Sequence, residues 1–466
     1  MTELKKVLSL RTVVSSSAGM ALATASYLAG FQVAIMTVGE LAWVSILVAG
    51  ILCLLSAMCF SEMVSLYPTA AGIKLYIQHA FNEKAAIAVG MFYVITGISI
   101  VGAESYLLTS VLLETVGVMF SPTVDRFCWM FFFVVLVGYV NYRGVQLTGL
   151  TQDIMAYVMF GFLIVASVYA LATKGVDVWG AFSDSRFTLT GVLQASGLGV
   201  VLYMGYEWVT PLAEETEDYR MVGKGMMLAI GLLSITYALF VVAMYTGLTD
   251  EQLKSGTTIP HILFGKNLFG NTGRALFIVM SLLASLTSFN AGMLNFSRFA
   301  YAMGRVSILP RALSRLHPDY ATPWVAILAL MGFAVVLSTI TILSGQYLFI
   351  LTMAAATECF IYVVVAICVI MLRKKKPDQE RAFKVPFGLV IPVFTALVFT
   401  GLMAGIFMDN TRDINGAILF HNYWVALVMA VMACIMVAYT LFVVPRLKQA
   451  AQERTSARKR RRPGKS

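Results

Sequence analysis

The sequence predicts an all-α integral membrane protein of twelve transmembrane helices, ten forming a 5+5 inverted repeat in which helices 1 and 6 are broken, with helices 11–12 outside it. Three observations predict this. Of the 466 residues, 59% are hydrophobic and only 12% charged, whereas soluble domains carry about 25% charged residues. Apolar runs recur at about 20 residues, the length that crosses a bilayer core of about 30 Å as helix. Two of these runs, five spans apart, are weak. Lipid replaces the water that so few charges could not face, and an ordinary soluble enzyme is excluded.

Apolar runs and the breakers between them place spans 1–6 near 12–36, 41–66, 85–118, 127–148, 153–173 and 190–212. Spans 7–12 follow near 224–248, 273–301, 323–343, 346–372, 385–407 and 421–444. The first run is too long for a removed leader and lacks a small-residue cleavage site, so it is read as a span. Five segments result: an N-terminal cytoplasmic stretch (1–11), a first repeat (12–173), a second repeat with its preceding loop (174–372), spans 11–12 with their connection (373–445) and a basic tail (446–466).

An even span number puts both ends on one side, and the basic residues say which. Loops and ends on the terminal side hold 27 of the 34 Lys and Arg, against 7 on the other side, so the positive-inside rule places both termini in the cytoplasm of a cell (plasma or inner) membrane. The net charge of +10 is mostly the tail's, whose nine basic residues and single acid, Glu453, give it +8. A cluster from Arg458 to Arg462 would suit anionic headgroups, but the reading taken is a disordered cytoplasmic end that anchors topology, and no chemistry is assigned to it. No nucleic-acid partner is indicated.

Six cysteines lie in or beside apolar runs without C-x-x-C spacing, and the four histidines (His79, His261, His317, His421) are scattered in expected loops. Neither a disulfide framework nor a metal site follows, and no cofactor is expected. The bilayer and a small solute remain as partners; the sequence does not speak to an accessory subunit.

Candidate chemistry begins with the two weak spans. Span 1 reads SSSAGMALATASYLAG from Ser15 to Gly30, small and polar where lipid-facing helices prefer large apolar side chains. Span 6 reads GVLQASGLGVVLYMGYEWVTPLAEE, with four glycines, Glu207 and Pro211. Small residues also serve close helix packing. A broken helix, however, bares N–H groups at one half and carbonyls at the other, giving an anion pole beside a cation pole. The expected breaks are Ala23-Thr24-Ala25-Ser26 and Tyr203-Met204-Gly205-Tyr206, with Tyr27, Tyr203 and Tyr206 as lids or cation-stacking faces.

An acid at the membrane centre costs about 2.5–3.5 kcal/mol on insertion scales. Glu104 (span 3), Glu207 (span 6) and Glu358 (span 10) are therefore candidate proton carriers, Glu207 first because it follows Gly205 so closely. Ser285, Thr287 and Ser288 on span 8 form a weaker candidate cation site, for sodium as the alternative coupling ion to the proton, since hydroxyls there also simply pack.

These residues occur in segments that resemble the amino acid–polyamine–organocation (APC) superfamily. FSEMVSLYPTAAGIKLYIQHAFNEKAAIAVG (60–90) looks like that family's signature between spans 2 and 3, and YMGYEWVTPLAEET (203–216) is similar to its span 6 pattern. SLTSFNAGMLNFSRFAYAMGRVSILPRALSRLHPDYATP (285–323) is similar to its span 8 and the loop beyond, and FKVPFGLVIP (383–392) to its entry to span 11. The resemblance covers nearly the whole chain. It implies a secondary active transporter of amino acids or related amines, working by alternating access with proton coupling or exchange, and a site among spans 1, 3, 6, 8 and 10. The substrate stretches then fall on Ala23, Thr24 and Ala25 and on Met204, Gly205, Tyr206 and Glu207.

One departure stands out. The family's usual Gly-Ser-Gly in span 1 is Ala23-Thr24-Ala25 here, which puts methyl groups where backbone approaches the ligand. With three acids nearby, a polyamine or organic cation is the alternative substrate. Some proton-coupled relatives carry a lysine in span 5, and this chain has none within that run. A membrane enzyme or a ligand-sensing receptor is the remoter alternative; no nucleophile with its base and no soluble output domain is present to support either.

Overall fold

The computed structural model describes residues 4–23, 39–175, 199–249, 259–412 and 418–460, together with positions 35, 192, 196–197 and 251–252. Among these residues ten helices are long and apolar enough to cross a membrane. Each coincides with one expected span; most of span 1 beyond Ala23 and the first part of span 6 lie outside the described residues.

In chain order, a short α1 (Leu10–Gly19) is followed by α2 (Ala42–Leu66), a short amphipathic α3 (Gly72–Ala80) and α4 (Glu83–Val116). Then come α5 (Pro122–Tyr142), α6 (Val145–Lys174), two 3-10 segments (Val201–Tyr203 and Tyr206–Glu214) and α7 (Arg220–Gly247). The chain continues through α8 (Pro260–Arg305), α9 (Trp324–Ser344), α10 (Tyr347–Lys375) and α11 (Val390–Met408). Strands β1 (Asn410–Arg412) and β2 (Ile418–His421) pair antiparallel before α12 (Tyr423–Ala438), which runs through a π-turn into α13 (Val444–Arg460).

The helix starts follow local chemistry. Asn82 accepts from Ala85 N at 2.9 Å to open α4, and Ser121 accepts from Val124 N with Pro122 in the first turn to open α5. Side chains of α4, α8 and α10 are the most enclosed of the long helices, whereas α11 and α12 bury little. The latter, with α5 and α6, show Phe131, Phe132, Ile154, Val165, Leu397 and Leu427 outward. On a soluble protein such a surface would aggregate; here it is the lipid face. At 1.5 Å per residue, the 34 residues of α4 span roughly 50 Å, enough to cross the core at a tilt and project beyond it.

Two regions differ from the sequence reading. The stretch before span 8, read as loop to residue 272, is helical from Pro260, which sits in the first turn of α8. A kink at Phe269 and Gly270 (φ 61°, ψ −143°) separates this part from the spanning part. His261 consequently lies buried on a helix, bonded to Ser281 Oγ at 2.6 Å, rather than in a loop. The basic end, expected to be disordered, continues as helix to Arg460. Lys448 on it pairs with Glu83 at 2.8 Å, which fixes its first turn against the start of α4.

At the end of the bundle that carries both termini, buried charges join the elements. Glu62 at the foot of α2 meets Arg373 of α10 (Nε–Oε1 2.9 Å) and Arg381 (3.1 Å) and accepts from Val385 N at 2.8 Å. Arg298 of α8 holds Glu215 at 2.8 Å with both side chains essentially inaccessible. The N-terminal segment closes the same seam: Val7 N and Leu8 N donate to Glu215 O at 2.9 and 3.0 Å, and Glu217 N donates to Leu8 O at 3.1 Å.

Candidate functional site

The break in span 6 is set by one glycine. The 3-10 turn Val201–Tyr203 ends at Met204, and Gly205 takes φ 90°, ψ 1° before the second 3-10 segment begins at Tyr206. This left-handed conformation costs an L side chain roughly 1–2 kcal/mol. A Cβ on Gly205 would also stand 2.4 Å from Met20 Cγ. Glycine is therefore required twice, by backbone conformation and by the approach of α1's end.

The regular helix of α1 stops at Gly19, and Ala23 N still reaches Met20 O at 3.1 Å in a last turn. Ala23 is buried and non-helical. Thr24, Ala25, Ser26 and Tyr27, the remainder of the expected substrate stretch, lie outside the described residues. Ser17 Oγ donates to Tyr206 O at 2.7 Å and so ties the two interrupted segments together, while Tyr237 OH of α7 donates to Ala21 O and ties the end of α1 to α7.

Just beyond the break the chain turns a carboxyl group inward. Glu207, wholly buried, accepts from Tyr93 OH of α4 at 3.0 Å on Oε1 and from Tyr362 OH of α10 at 2.9 Å on Oε2. Next along, Trp208 Nε1 donates to Glu358 Oε1 of α10 at 3.0 Å. Glu358 is thereby brought beside Glu207 through the adjacent Trp208, and Tyr362, one turn further along α10, reaches Glu207 itself. Aromatic rings wall this centre: Tyr206 lies 5.3 Å from Tyr362 and Trp208 lies 4.5 Å from Phe296, edge to face.

Other candidates are placed differently. Glu104 sits about 16 Å further along α4 than Tyr93, eleven residues at 1.5 Å each, and accepts from Ser285 Oγ of α8 at 3.2 Å. It forms a second polar layer, separate from the Glu207–Glu358 pair. Tyr203 turns away from the break and donates to Ile46 O of α2 at 2.9 Å, so it anchors that turn, while Met204 is buried beside it. Ser288 Oγ donates to Met20 Sδ at 2.8 Å. Ser285 and Ser288 thus serve different helices, and Thr287 Oγ1 has no hydrogen-bond partner. Among the described residues no group of three His, Cys, Asp or Glu is arranged to hold a metal.

The sequence reading missed the groups that complete the centre: Tyr93, Tyr362 and Trp208. A buried acid needs donors, and aromatic hydroxyls inside spans 3 and 10 were the available signal. It also missed a relay of amides. Gln152 Nε2 of α6 donates to Ser15 O at 3.1 Å, Asn290 Nδ2 of α8 to Gln152 Oε1 at 2.9 Å, and Asn141 Nδ2 of α5 to Asn290 Oδ1 at 2.9 Å. This neutral network pins α1 to α5, α6 and α8.

Interrupted spans meeting around buried acids, inside a shell of lipid-facing helices, define a membrane transport protein. The sequence profile of the family described as "Amino acid permease" matches residues 8–434, and the chain belongs to that family; it is a transporter rather than an enzyme. It is similar to the branched-chain amino acid permease BcaP of Bacillus subtilis (strain 168), 26% identical over 383 residues that cover 77% of this chain and 79% of the relative. A methylthioribose transporter of the same organism is 22% identical over 401 residues, 81% and 83% of the two chains. The human (Homo sapiens) cystine/glutamate transporter is 31% identical over 227 residues, 48% and 44% of the two.

Proposed function

We propose that this permease carries amino acids or closely related amines across the cell membrane by alternating access, with the binding site at the meeting of the two interrupted spans. The observation that carries the reading is the left-handed Gly205, two residues before a fully buried Glu207 that takes hydroxyl donors from α4 and α10. The opened backbone near Ala23 and at Met204–Tyr206 would bind the charged ends of a zwitterion. Glu207, with Glu358 beside it, would carry the coupling proton, and Glu104 would form the next polar step along α4. In this reading both termini are cytoplasmic, and the Arg298–Glu215 and Glu62–Arg373 pairs close the cytoplasmic entrance. The second copy of the five-span unit would supply the surface against which the first rocks.

Purified protein in liposomes, offered labelled amino acids with and without a pH gradient or internal substrate, tests the reading. Gradient-driven or counterflow accumulation is the expected result. Absence of both across the twenty common amino acids would overturn it.

A further inference from the structure

We propose that the cavity between the foot of α2, the first turns of α7 and the chain leading into α11 is a site for the phosphate group of an anionic membrane lipid, held by Arg220 and Lys224. The inference stands apart from the transport reading above; it requires only that this end of the bundle meets a membrane surface.

The cavity follows from how three segments meet. Gly223 of α7 packs so closely on α2 that a Cβ there would stand 2.8 Å from Ser61 Cβ. Beside that contact, Ser65 Oγ donates to Glu62 O at 2.8 Å and to Phe383 O at 3.3 Å, which holds the chain before α11 against the foot of α2. The gap left between them has a volume of about 130 Å³, several times the room one water needs. Its serine hydroxyls are already spent on backbone, since Ser61 Oγ donates to Ala57 O at 2.7 Å. Recognition therefore falls to the two cations on its α7 wall, Arg220 and Lys224.

Both side chains are exposed and stand four residues apart on one helix, so their bases lie roughly 6 Å from each other and the two can share one phosphate. Tyr219 steadies the outer one, whose guanidinium carbon lies 5.9 Å from the ring centre. Arg298, Arg305, Arg373, Arg381 and Lys448 at this end each pair with a glutamate. Among the described residues Arg220 and Lys224 form no such pair. No carboxylate lines the cavity, and the acid next to it in the chain, Asp218, accepts from Arg220 N at 2.9 Å. The surroundings favour a lipid over a free anion. Lys224 stands on the stripe of α7 that carries Leu228 and Ile235, 47% and 58% exposed, one and three turns further into the span. Val64 and Met227 make the cavity wall on that side apolar. Cationic at the bundle's end and apolar along the span, the site matches the order of groups in a phospholipid, whose charged phosphate lies outside its acyl chains.

Phosphatidylglycerol and phosphatidylcholine with identical acyl chains differ in net headgroup charge, so native mass spectrometry of the purified full chain in detergent, titrated with each lipid, reads the site. Expected is retention of one phosphatidylglycerol per protein at a concentration at least about tenfold below that needed for phosphatidylcholine, the scale of two basic side chains at a bilayer surface. Lys224→Gln should lose most of that preference and the double variant Arg220→Gln/Lys224→Gln all of it. Lys224→Arg should keep it, as should Lys84→Gln, which removes an exposed lysine at the start of α4. Soluble glycerophosphate should not displace the lipid. Equal retention of the two lipids by the wild-type protein, or a preference that survives in the double variant, overturns the proposal. Displacement by glycerophosphate at the lipid's own concentration overturns the bilayer as the source of the phosphate. If the double variant does not fold, Lys224→Gln against Lys224→Arg decides.

Discussion

Replacing Arg298 by methionine tests what holds the terminal end of the bundle shut. Its guanidinium meets Glu215 through Nε–Oε2 at 2.8 Å and Nη2–Oε1 at 3.4 Å, and Nη1 donates to Ser297 Oγ at 3.0 Å, with the ion pair 0% and 1% exposed. Removing one partner of a buried pair leaves the other charge uncompensated, at a cost of about 3–5 kcal/mol. If α8 and the segment after span 6 separate when this end opens, the cost falls mainly on the closed state, and the open fraction rises by about 150-fold or more at 1.4 kcal/mol per decade. A cysteine at Ser16, buried beneath that end, reports the opening through its labelling rate by a maleimide, read by mass spectrometry so that native cysteines do not interfere. Arg298→Met is expected to speed labelling by at least tenfold and to lower Tm. The double variant with Glu215→Gln removes the stranded charge as well and should recover much of both effects. Wild-type labelling in Arg298→Met, or a double variant as impaired as the single one, would refute the reasoning.

Other consequences follow from named contacts. Gly205→Ala introduces a side chain in a left-handed backbone and against Met20; uptake should be lost, whereas Gly161→Ala, whose Cβ would meet nothing within 4 Å, should transport normally. Asn290→Ala strips partners from Asn141 and Gln152 and should destabilise the protein by about 1–3 kcal/mol per stranded group, read as a fall in Tm in detergent. His79, on α3 outside the spans, is stacked on Tyr67; partial burial first, then the charges of Lys376 and Lys74, hold its pKa below the ordinary 6.5. An unfolded chain therefore takes up the proton more readily, so stability present above about pH 6.5 is lost as pH falls through that range. Tm against pH should show this acid-side loss in the wild type and a smaller one in His79→Gln.

The lengths and positions of the long helices were legible because hydrophobic run length is set directly by bilayer thickness. Spans 1 and 6 were legible for the opposite reason, since small, polar and acidic residues interrupt their runs. Glu207 and Glu358 stood out individually as acids inside apolar segments. Their pairing did not, because it depends on how span 10 is rotated against the second half of span 6, and no local pattern records that rotation. Glu104 looked equivalent to them by composition, yet the structure sets it three turns away along α4. Arg298 lay inside an apolar run as visibly as any of the acids, and its partner Glu215 lay in the Leu-Ala-Glu-Glu turn; only packing joins them. The helix from Pro260 was hidden because its Gly270 and polar residues resemble a loop when the kink is unseen.

Counterflow of labelled amino acid into proteoliposomes by wild-type protein and Glu207→Gln, measured across pH 5 to 8 on the scale over which carboxyl and histidine groups exchange protons, tests the central claim most directly. Wild-type protein is expected to accumulate substrate in a pH-dependent manner, and the variant, correctly inserted and of normal Tm, to lose that dependence with most of its rate. Uptake by Glu207→Gln at the wild-type rate and with the wild-type pH profile would contradict the account.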